Sequence, residues 1–233
     1  MKITPAGIAV LDDKMDSLLS RWVERDGSLS AYDPRIEKVF AALLEDGDTV
    51  IDGGANIGDH TVAYAKAVGP TGRVLAFEPF PPAFECLQYN TQAFDWVVCL
   101  PLALANKPGR VELHASSYNA GATYVGEENR ARGITSVPID LFGFPRLALI
   151  KLDLEGGEMR ALCGALSTLS MCRPLVIVET GENLKRYGSS HERLVSMMEL
   201  LGYGVENLPA ERVGDTVFDV LFRPNEQNGE GER

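Results

Sequence analysis

The sequence predicts a doubly wound α/β fold with about seven mostly parallel strands and an antiparallel last strand. Apolar, β-branched runs alternate with longer amphipathic stretches, which is the pattern of successive βαβ units. One run, LALIKLD at residues 147–153, is almost continuously apolar, as expected for a parallel strand buried on both faces. The 233 residues are enough for one sizeable core.

Five runs predict the parallel part of the sheet, and they are DTVIDGG (48–54), GRVLAFEP (72–79), WVVCLPLAL (96–104), LALIKLD (147–153) and PLVIVET (174–180). The amphipathic stretches before, between and after these runs predict helices at 34–44, 61–68, 82–90, 156–169 and 189–202. GYGVENL (202–208) and TVFDVLFRP (216–224) predict a closing hairpin, which supplies the antiparallel last strand. Seven strands result.

The domain organisation follows from these elements. Residues 1–223 are expected to form a single domain with an N-terminal helical segment at about 1–46. A β insertion is expected at about 106–140, where RVELHAS and ITSVPID predict added strands. The polar end of the chain, residues 224–233, is expected to be disordered because it cannot bury apolar surface.

Composition narrows the classes of partner. A net charge of -11 and a pI near 4.8 disfavour nucleic acid, whose binding depends on Lys and Arg neutralising phosphates. No secretory signal is visible at the N-terminus, and no apolar run has the roughly 20 residues of a membrane-spanning helix. The four cysteines lack metal-binding spacing. We therefore expect a cytoplasmic protein with reduced thiols and no membrane association; the oligomeric state stays open.

The glycine-rich turn VIDGGANIG follows the first predicted strand. Glycines let the backbone approach a ligand closely, and the start of the next helix offers unpaired N–H groups. The turn matches neither the dinucleotide fingerprint nor the Walker motif. Asp52 at the strand end suits a ligand with an ammonium group and would repel a pyrophosphate. The alternative is an ordinary tight turn between strand and helix.

A second carboxylate, Glu78, ends the next predicted strand. A carboxylate in that position can accept hydrogen bonds from both hydroxyls of a ribose. The alternative is an ordinary surface acid, but the glycine-rich turn and Glu78 together predict a nucleoside site.

Four separated strings, VIDGGANIGDHT, FEPFPPAFECLQYN, LIKLDLEGGEMRALCGA and RPLVIVET, resemble the FkbM family of methyltransferases in order and spacing, over roughly Ala31 to Glu182. The resemblance implies a class I, Rossmann-like methyltransferase fold and S-adenosylmethionine as methyl donor. It also implies O-methylation of a hydroxyl on a sugar, glycan or natural product. One departure is visible, because Gly53 stands where the family more often has an apolar residue.

The same resemblance assigns the glycine-rich turn to the methionine part of the cofactor and Glu78 to its ribose. The expected cofactor-binding residues are Asp52, Gly53, Gly54, Ala55, Asn56, Gly58, Glu78 and Pro79. The adenine is expected near Leu102 to Ala105, after the third strand, although that segment carries no polar marker.

A hydroxyl acceptor needs a general base opposite the methyl group, beyond the carboxyl ends of the central strands. Asp153 ends the fourth strand and Glu155 follows two residues later; His60, just past the glycine-rich turn, is an alternative that titrates near neutral pH. These three are the catalytic candidates. Glu158 is expected to complement a helix N-terminus instead. A divalent cation held by Asp153, Glu155 and Glu179 is an alternative, but no metal site is predicted.

Tyr32, Tyr118 and Tyr124 fall where an acceptor-binding lid is expected, and core packing is the equal alternative for each of them. The Asn- and Gly-rich segment 118–126 is interpreted as that lid. Three other functions compete. An N-methyltransferase acting on nucleic acid or protein would need a different loop after the fourth strand, which here reads LDLEGGE. A cofactor-binding protein without catalysis would share the motifs, and a nicotinamide-dependent dehydrogenase would need the missing glycine fingerprint.

Overall fold

The structure of the protein is a computed structural model, which describes residues 1–12, 15, 17–29, 39, 41–114, 123–128, 133–208 and 217–226. The described strands are β1 (Lys2–Ile3), β2 (Ala9–Val10), β3 (Thr49–Gly53), β4 (Arg73–Phe77), β5 (Val97–Leu100), β6 (Ala103–Leu104), β7 (Gly109–His114), β8 (Tyr124–Glu128), β9 (Ile134–Val137), β10 (Leu149–Leu152), β11 (Leu175–Gly181), β12 (Tyr203–Asn207) and β13 (Val217–Pro224). The described α-helices are α1 (Leu18–Asp26), α2 (Asp59–Val68), α3 (Pro81–Thr91), α4 (Glu158–Cys163), α5 (Leu166–Cys172) and α6 (His191–Leu200).

Seven strands form the main sheet in the order β12-β13-β11-β10-β3-β4-β5. The five strands from β11 to β5 are parallel, and β13 is antiparallel to both of its neighbours. The predicted fold class is therefore confirmed, including the antiparallel last strand. The strand order reverses between β3 and β10, and in open α/β sheets the crevice at such a switch point is where ligands bind.

The two faces of this sheet are both covered by apolar side chains. Ile51, Ile150 and Val178 belong to the cluster that contains α4, α5 and α6 residues. Val50 and Leu149 belong to the cluster that contains the α2 residues. Neighbouring residues on a strand point to opposite faces, so burial on both sides explains why these strands are apolar without alternation.

The third predicted strand divides between two sheets. Its first half is β5, in the main sheet, and its second half is β6, which pairs with β9 in a four-stranded sheet of order β6-β9-β7-β8. Pro101 lies between them and, having no N–H group, cannot continue the hydrogen-bond ladder. The strands predicted from RVELHAS and ITSVPID are β7 and β9 of this second sheet.

The helix predicted at 156–169 is two helices, α4 and α5. A Cβ at Gly164 would collide with the carbonyl oxygen of Ala105, so the chain turns where only glycine allows that approach. Asp140 then starts α5 by accepting hydrogen bonds from the N–H groups of Ser167 (3.0 Å) and Thr168 (2.8 Å). The sequence does not show this break because both halves keep a helical pattern.

The helix predicted at 34–44 is described only in part, where Ala41–Leu43 form a 3-10 helix. Residues 30–38 and 40 lie outside the described residues, as do 115–122 and 227–233, so Tyr32, Tyr118 and most of the expected disordered tail are not described. Among the helices that are described, none is long and apolar enough to cross a membrane.

Candidate active site

A cavity of about 200 Å³ opens at the carboxyl ends of the central strands. Seven of the predicted site residues line it, and they are Gly54, Asn56, His60, Glu78, Pro79, Asp153 and Glu155. The cavity therefore brings together four of the eight cofactor candidates and all three catalytic candidates.

The glycine-rich turn passes directly beneath the end of β10. Gly54 has φ +80°, and a Cβ there would overlap the carbonyl oxygen of Asp153. The N–H groups of Gly54 and Ala55 both donate to the carbonyl oxygen of Phe77, at 3.0 Å each, at the end of β4. Gly54 thus lies between two strand ends at a spacing that only glycine permits.

Asp52 is 2% exposed and does not line the cavity. Its Oδ2 accepts a hydrogen bond of 2.6 Å from Thr61 Oγ1 on α2. Burial raises the pKa of Asp52 to about 6, against the opposing effect of that hydrogen bond. Gly53, Ala55 and Gly58 are likewise not lining residues, so only Gly54 and Asn56 of the predicted turn residues face the cavity.

Glu78 follows β4 and is held by two backbone groups. Its Oε1 accepts from the N–H of Phe80 at 2.7 Å, and its Oε2 accepts from the N–H of Asn56 at 2.8 Å. Burial raises the pKa of Glu78 to about 7 despite these hydrogen bonds. Each carboxylate oxygen keeps a second lone-pair direction, so the fixed carboxylate can still accept from a pair of ligand hydroxyls.

The segment expected to contact adenine, Leu102 to Ala105, forms one wall of the cavity. Leu104 is almost fully buried. Asn106 and Lys107 continue the same wall and supply the polar groups that the predicted segment lacks. Tyr124, from the expected lid, does not line the cavity, but its neighbours Thr123 and Val125 do.

Asp153 lies just beyond β10 with its backbone fixed. Its N–H donates to the carbonyl oxygen of Gly53 at 3.0 Å, and its side chain is 38% exposed. Asp153 Oδ2 is 3.4 Å from Lys151 Nζ. A partly exposed carboxylate in this position can accept a proton from a molecule in the cavity.

Glu155 has φ +54°, a left-handed conformation, and its carbonyl oxygen accepts a hydrogen bond from Arg186. Burial, followed by repulsion from Asp153, raises the pKa of Glu155 to about 8. The side chain of Glu158 is buried, and its Oε1 accepts from the N–H groups of Leu154 and Gly156. Glu158 therefore closes the turn between β10 and α4, as expected for a residue at a helix N-terminus.

His60 is half-buried and its Nδ1 lies 3.3 Å from the hydroxyl oxygen of Tyr64, one helical turn further along α2. The two other histidines lie apart from the cavity lining. His191 Nδ1 is 3.4 Å from Thr180 Oγ1, and His114 stacks on Tyr124 with 5.2 Å between ring centroids.

Six charged residues of the cavity were not among the predicted site residues, and they are Asp59, Lys107, Lys151, Arg160, Glu179 and Asp219. The sequence suggests Glu179 only as an alternative metal ligand. The sequence could have indicated Lys151 as a site residue, because a lysine inside the apolar run LALIKLD is unusual for a buried strand. Asp59 and Asp219 carried no such signal, because acids at a helix start or within a hairpin strand are ordinary. Within the described part of the chain, no group of three or more His, Cys, Asp or Glu side chains could hold a metal ion.

A profile of the methyltransferase FkbM domain matches residues 52–205, about two thirds of the chain. The matched region contains the glycine-rich turn, Glu78, Asp153 and all five parallel strands of the main sheet except the start of β3. The chain belongs to the FkbM family of S-adenosylmethionine-dependent methyltransferases. The resemblance inferred from the four sequence strings is confirmed.

Methyltransferase sdnD of Sordaria araneosa is 27% identical over 221 residues, covering 78% of this chain and 83% of that protein. The crystal structure of methyltransferase FkbM from Methylobacillus flagellatus superposes with a TM-score of 0.56 at 18% identity over 77% of this chain. Only 44% of that crystallised chain is matched, so this protein spans less than half of it. Magnesium protoporphyrin IX methyltransferase from Synechocystis, crystallised with S-adenosylmethionine, superposes with a TM-score of 0.53 at 11% identity. The match covers 92% of this chain and 87% of that protein. These structures share the class I fold.

Proposed function

We propose that this methyltransferase transfers the methyl group of S-adenosylmethionine to a hydroxyl oxygen of a sugar, glycan or natural product, with Asp153 as general base. The observation that carries the proposal is the contact between the glycine-rich turn and Asp153. Gly54 packs against the Asp153 carbonyl so closely that a Cβ would not fit, and the Asp153 N–H is bonded to Gly53. The cofactor turn and the base are therefore held in one rigid arrangement.

The residues of the cavity fit the cofactor. A fixed, buried carboxylate at Glu78 suits the ribose hydroxyls, and the apolar wall at Leu102 to Ala105 suits a purine ring. Asp59 and Asn56 line the side toward the glycine-rich turn, where the amino-acid part of the cofactor would lie. S-adenosylmethionine supplies an electrophilic methyl group on a sulfonium when it is bound.

The chemistry assigned to the protein is the removal of one proton. With S-adenosylmethionine bound, the acceptor oxygen would take the methyl group, sulfur would keep the bonding pair, and Asp153 would accept the hydroxyl proton. Glu155 suits this role less because burial keeps it largely protonated at neutral pH. His60 is the second candidate, since it lines the same cavity and is oriented by Tyr64.

Calorimetry with S-adenosylhomocysteine tests the cofactor site, and a labelled-methyl assay across pools of sugars and natural products tests the reaction. We expect product labelled at oxygen, with the same yield in the presence of a chelator. Asp153→Asn should lower transfer on the order of 100-fold or more while leaving S-adenosylhomocysteine affinity intact. His60→Asn and Glu155→Gln are the matched variants, and each should lower methyl transfer less than Asp153→Asn does.

If the labelled methyl group is found on an amine of nucleic acid or protein, the protein is an N-methyltransferase and the proposal of O-methylation is wrong. Full transfer by Asp153→Asn would remove Asp153 as the base, and binding of S-adenosylhomocysteine without transfer to any acceptor would favour a non-catalytic role.

A further inference from the structure

Lys151 is a charged residue inside the sheet, beside the cavity. It lies on β10, one strand from the glycine-rich turn, and is 2% exposed. An ammonium group so far from water is costly unless nearby charges compensate for it. Burial lowers the pKa of Lys151, but Asp153, Asp219, Glu179 and Asp52 together raise it, so the side chain is an ammonium at neutral pH.

Two carboxylates lie within ion-pair distance of this ammonium. Lys151 Nζ is 3.4 Å from Asp153 Oδ2 and 4.0 Å from Asp219 Oδ1. The register of the sheet brings them together, because Lys151 is paired with Asp52 on β3 and Asp219 is paired with Glu179 on β11. Side chains two residues apart on a strand share a face, which puts Asp153 on the same side as Lys151.

The charged groups that act on Lys151 and Asp153 include acids from every neighbouring element, and these are Asp52 on β3, Asp59 on α2, Glu78 after β4, Glu155 and Glu158 after β10, Glu179 on β11 and Asp219 on β13. Two further cations, Lys107 and Arg160, line the same cavity, and Arg186 opposes the rise in the pKa of Glu155. Repulsion from Asp153 and Glu155 adds to burial in raising the pKa of Glu179, which shows how strongly these acids disfavour one another's ionised forms.

We propose that Lys151 is a positioning residue for the methyl transfer, pairing with the Asp153 carboxylate and holding it at the cavity, and that Asp219 is the second carboxylate that holds the ammonium. The proposal rests on the role given to Asp153 above. An ammonium 3.4 Å from a carboxylate oxygen favours the charged form of that carboxylate, which is the form that can accept the acceptor's proton. The backbone contacts of Asp153 with Gly53 and Gly54 fix its main chain, and Lys151 fixes its carboxylate.

Lys151→Met removes the charge and keeps an unbranched side chain, and Lys151→Arg keeps the charge. Carbon-detected NMR follows the carboxyl carbon of Asp153 with pH, and Asp153→Asn identifies its resonance. In Lys151→Met we expect the midpoint of that titration to rise by about one pH unit or more. In Lys151→Arg it should stay where it is in the unaltered protein. Calorimetry with S-adenosylhomocysteine checks that both variants keep an intact cofactor site.

An unchanged midpoint in folded Lys151→Met overturns the proposal. If Lys151→Met does not fold, Lys151→Gln provides the test, because its amide can still donate hydrogen bonds to Asp153 and Asp219 but carries no charge. The Asp153 midpoint should again rise, and an unchanged midpoint overturns the proposal.

The labelled-methyl assay gives a second readout that a purely structural lysine would not alter. Methyl transfer by Lys151→Met should be low at neutral pH and recover as the pH is raised, whereas Asp153→Asn should not recover. Failure of the base assignment is distinguishable, since it appears as full activity in Asp153→Asn whatever the titration of Lys151→Met shows.

Discussion

At the scale of single residues, the acids of the cavity are expected to make cofactor binding depend on pH. Burial raises the pKa of Glu78 to about 7, so near neutral pH this carboxyl is protonated in a fraction of the protein molecules. Ribose hydroxyls donate more strongly to the ionised form, so binding lowers the pKa of Glu78 and releases protons. Affinity should therefore increase as pH rises toward about 7 and level off above it.

We predict that S-adenosylhomocysteine binds on the order of tenfold more weakly at pH 5.5 than at pH 7.5. Glu78→Gln should bind weakly throughout and with a shallower dependence on pH. Isothermal calorimetry at a series of pH values measures both. Asp95→Asn is the control, because Asp95 is exposed and does not line the cavity, and it should behave like the unaltered protein. A Glu78→Gln variant with unaltered affinity and slope would contradict the assignment of Glu78 to the ribose.

Gly54 and Gly7 form a matched pair for testing the glycine-rich turn. Their φ angles are +80° and +79°, but a Cβ would overlap Asp153 at Gly54 and would meet nothing within 4 Å at Gly7. Gly7→Ala should cost only the left-handed strain, about 1 to 2 kcal/mol in the free energy of unfolding. Gly54→Ala should cost more and should also weaken binding of S-adenosylhomocysteine.

Urea unfolding measures the first quantity and calorimetry the second. Equal losses of stability in the two variants, with S-adenosylhomocysteine affinity kept in both, would show that the close approach of Gly54 to Asp153 is not needed.

At the scale of elements, the second sheet is attached to the main sheet across the cavity. The Tyr187 hydroxyl donates to the carbonyl oxygen of Val125 on β8, and Arg186 lies 4.0 Å above the ring centroid of Tyr124. Arg186 and Tyr187 belong to a 3-10 helix, Glu182–Tyr187, that follows β11. Val125 and Tyr187 line the cavity, so this contact joins two of its walls.

We predict that Tyr187→Phe loosens β8. One hydrogen bond contributes about 1 kcal/mol, so the amides of Tyr124–Glu128 should exchange with solvent about fivefold faster. Hydrogen–deuterium exchange with mass spectrometry measures this. Tyr203→Phe removes a comparable bond to the Leu169 carbonyl, far from β8, and should leave β8 exchange unchanged. Equal exchange in Tyr187→Phe and the unaltered protein would mean that β8 is held by other contacts.

Some elements were predictable and others were not, for physical reasons. The strands β3, β4, β10 and β11 were predicted closely because burial on both faces leaves a continuous apolar signal. The third strand divides into β5 and β6 at Pro101. The continuous apolar pattern of WVVCLPLAL predicted one strand despite this proline. The break between α4 and α5 depends on contacts with Asp140 and Ala105, which are distant in sequence, so local periodicity does not show it.

At the scale of the whole molecule, the buried acids set how stability depends on pH. Burial raises the pKa of Asp52 to about 6, of Asp59 and Glu158 to about 7, and of Glu155 to about 8. The folded protein then binds more protons than the unfolded chain between the ordinary and the raised pKa values. The free energy of unfolding must fall as pH rises through this range. Lys151, whose pKa is raised above an already high value, does not titrate there.

We predict that, without cofactor, the free energy of unfolding decreases by on the order of a few kcal/mol between pH 5 and pH 8. Urea unfolding followed by circular dichroism at several pH values measures the slope. Asp59→Asn should reduce the slope because it removes one buried acid, and Asp95→Asn should leave it unchanged. Stability that rises over this range would contradict the raised pKa values.

The sequence by itself determined the strands of the main sheet, the glycine-rich turn and the positions of Glu78 and Asp153 at strand ends. These features depend on local conformation and on periodic burial, which neighbouring residues encode. The FkbM resemblance drew on the same strings and supplied the fold family and the methyl donor.

Only the tertiary structure decided which side chains meet. It showed that Asp52 is buried away from the cavity while Asp59 lines it, and that Lys151 contacts both Asp153 and Asp219. Asp219 belongs to the last strand, which reaches Lys151 only through the antiparallel register of β13 on β11. Strand order and register are set by the packing of the whole sheet, so contacts between distant residues are absent from the local pattern that the sequence displays.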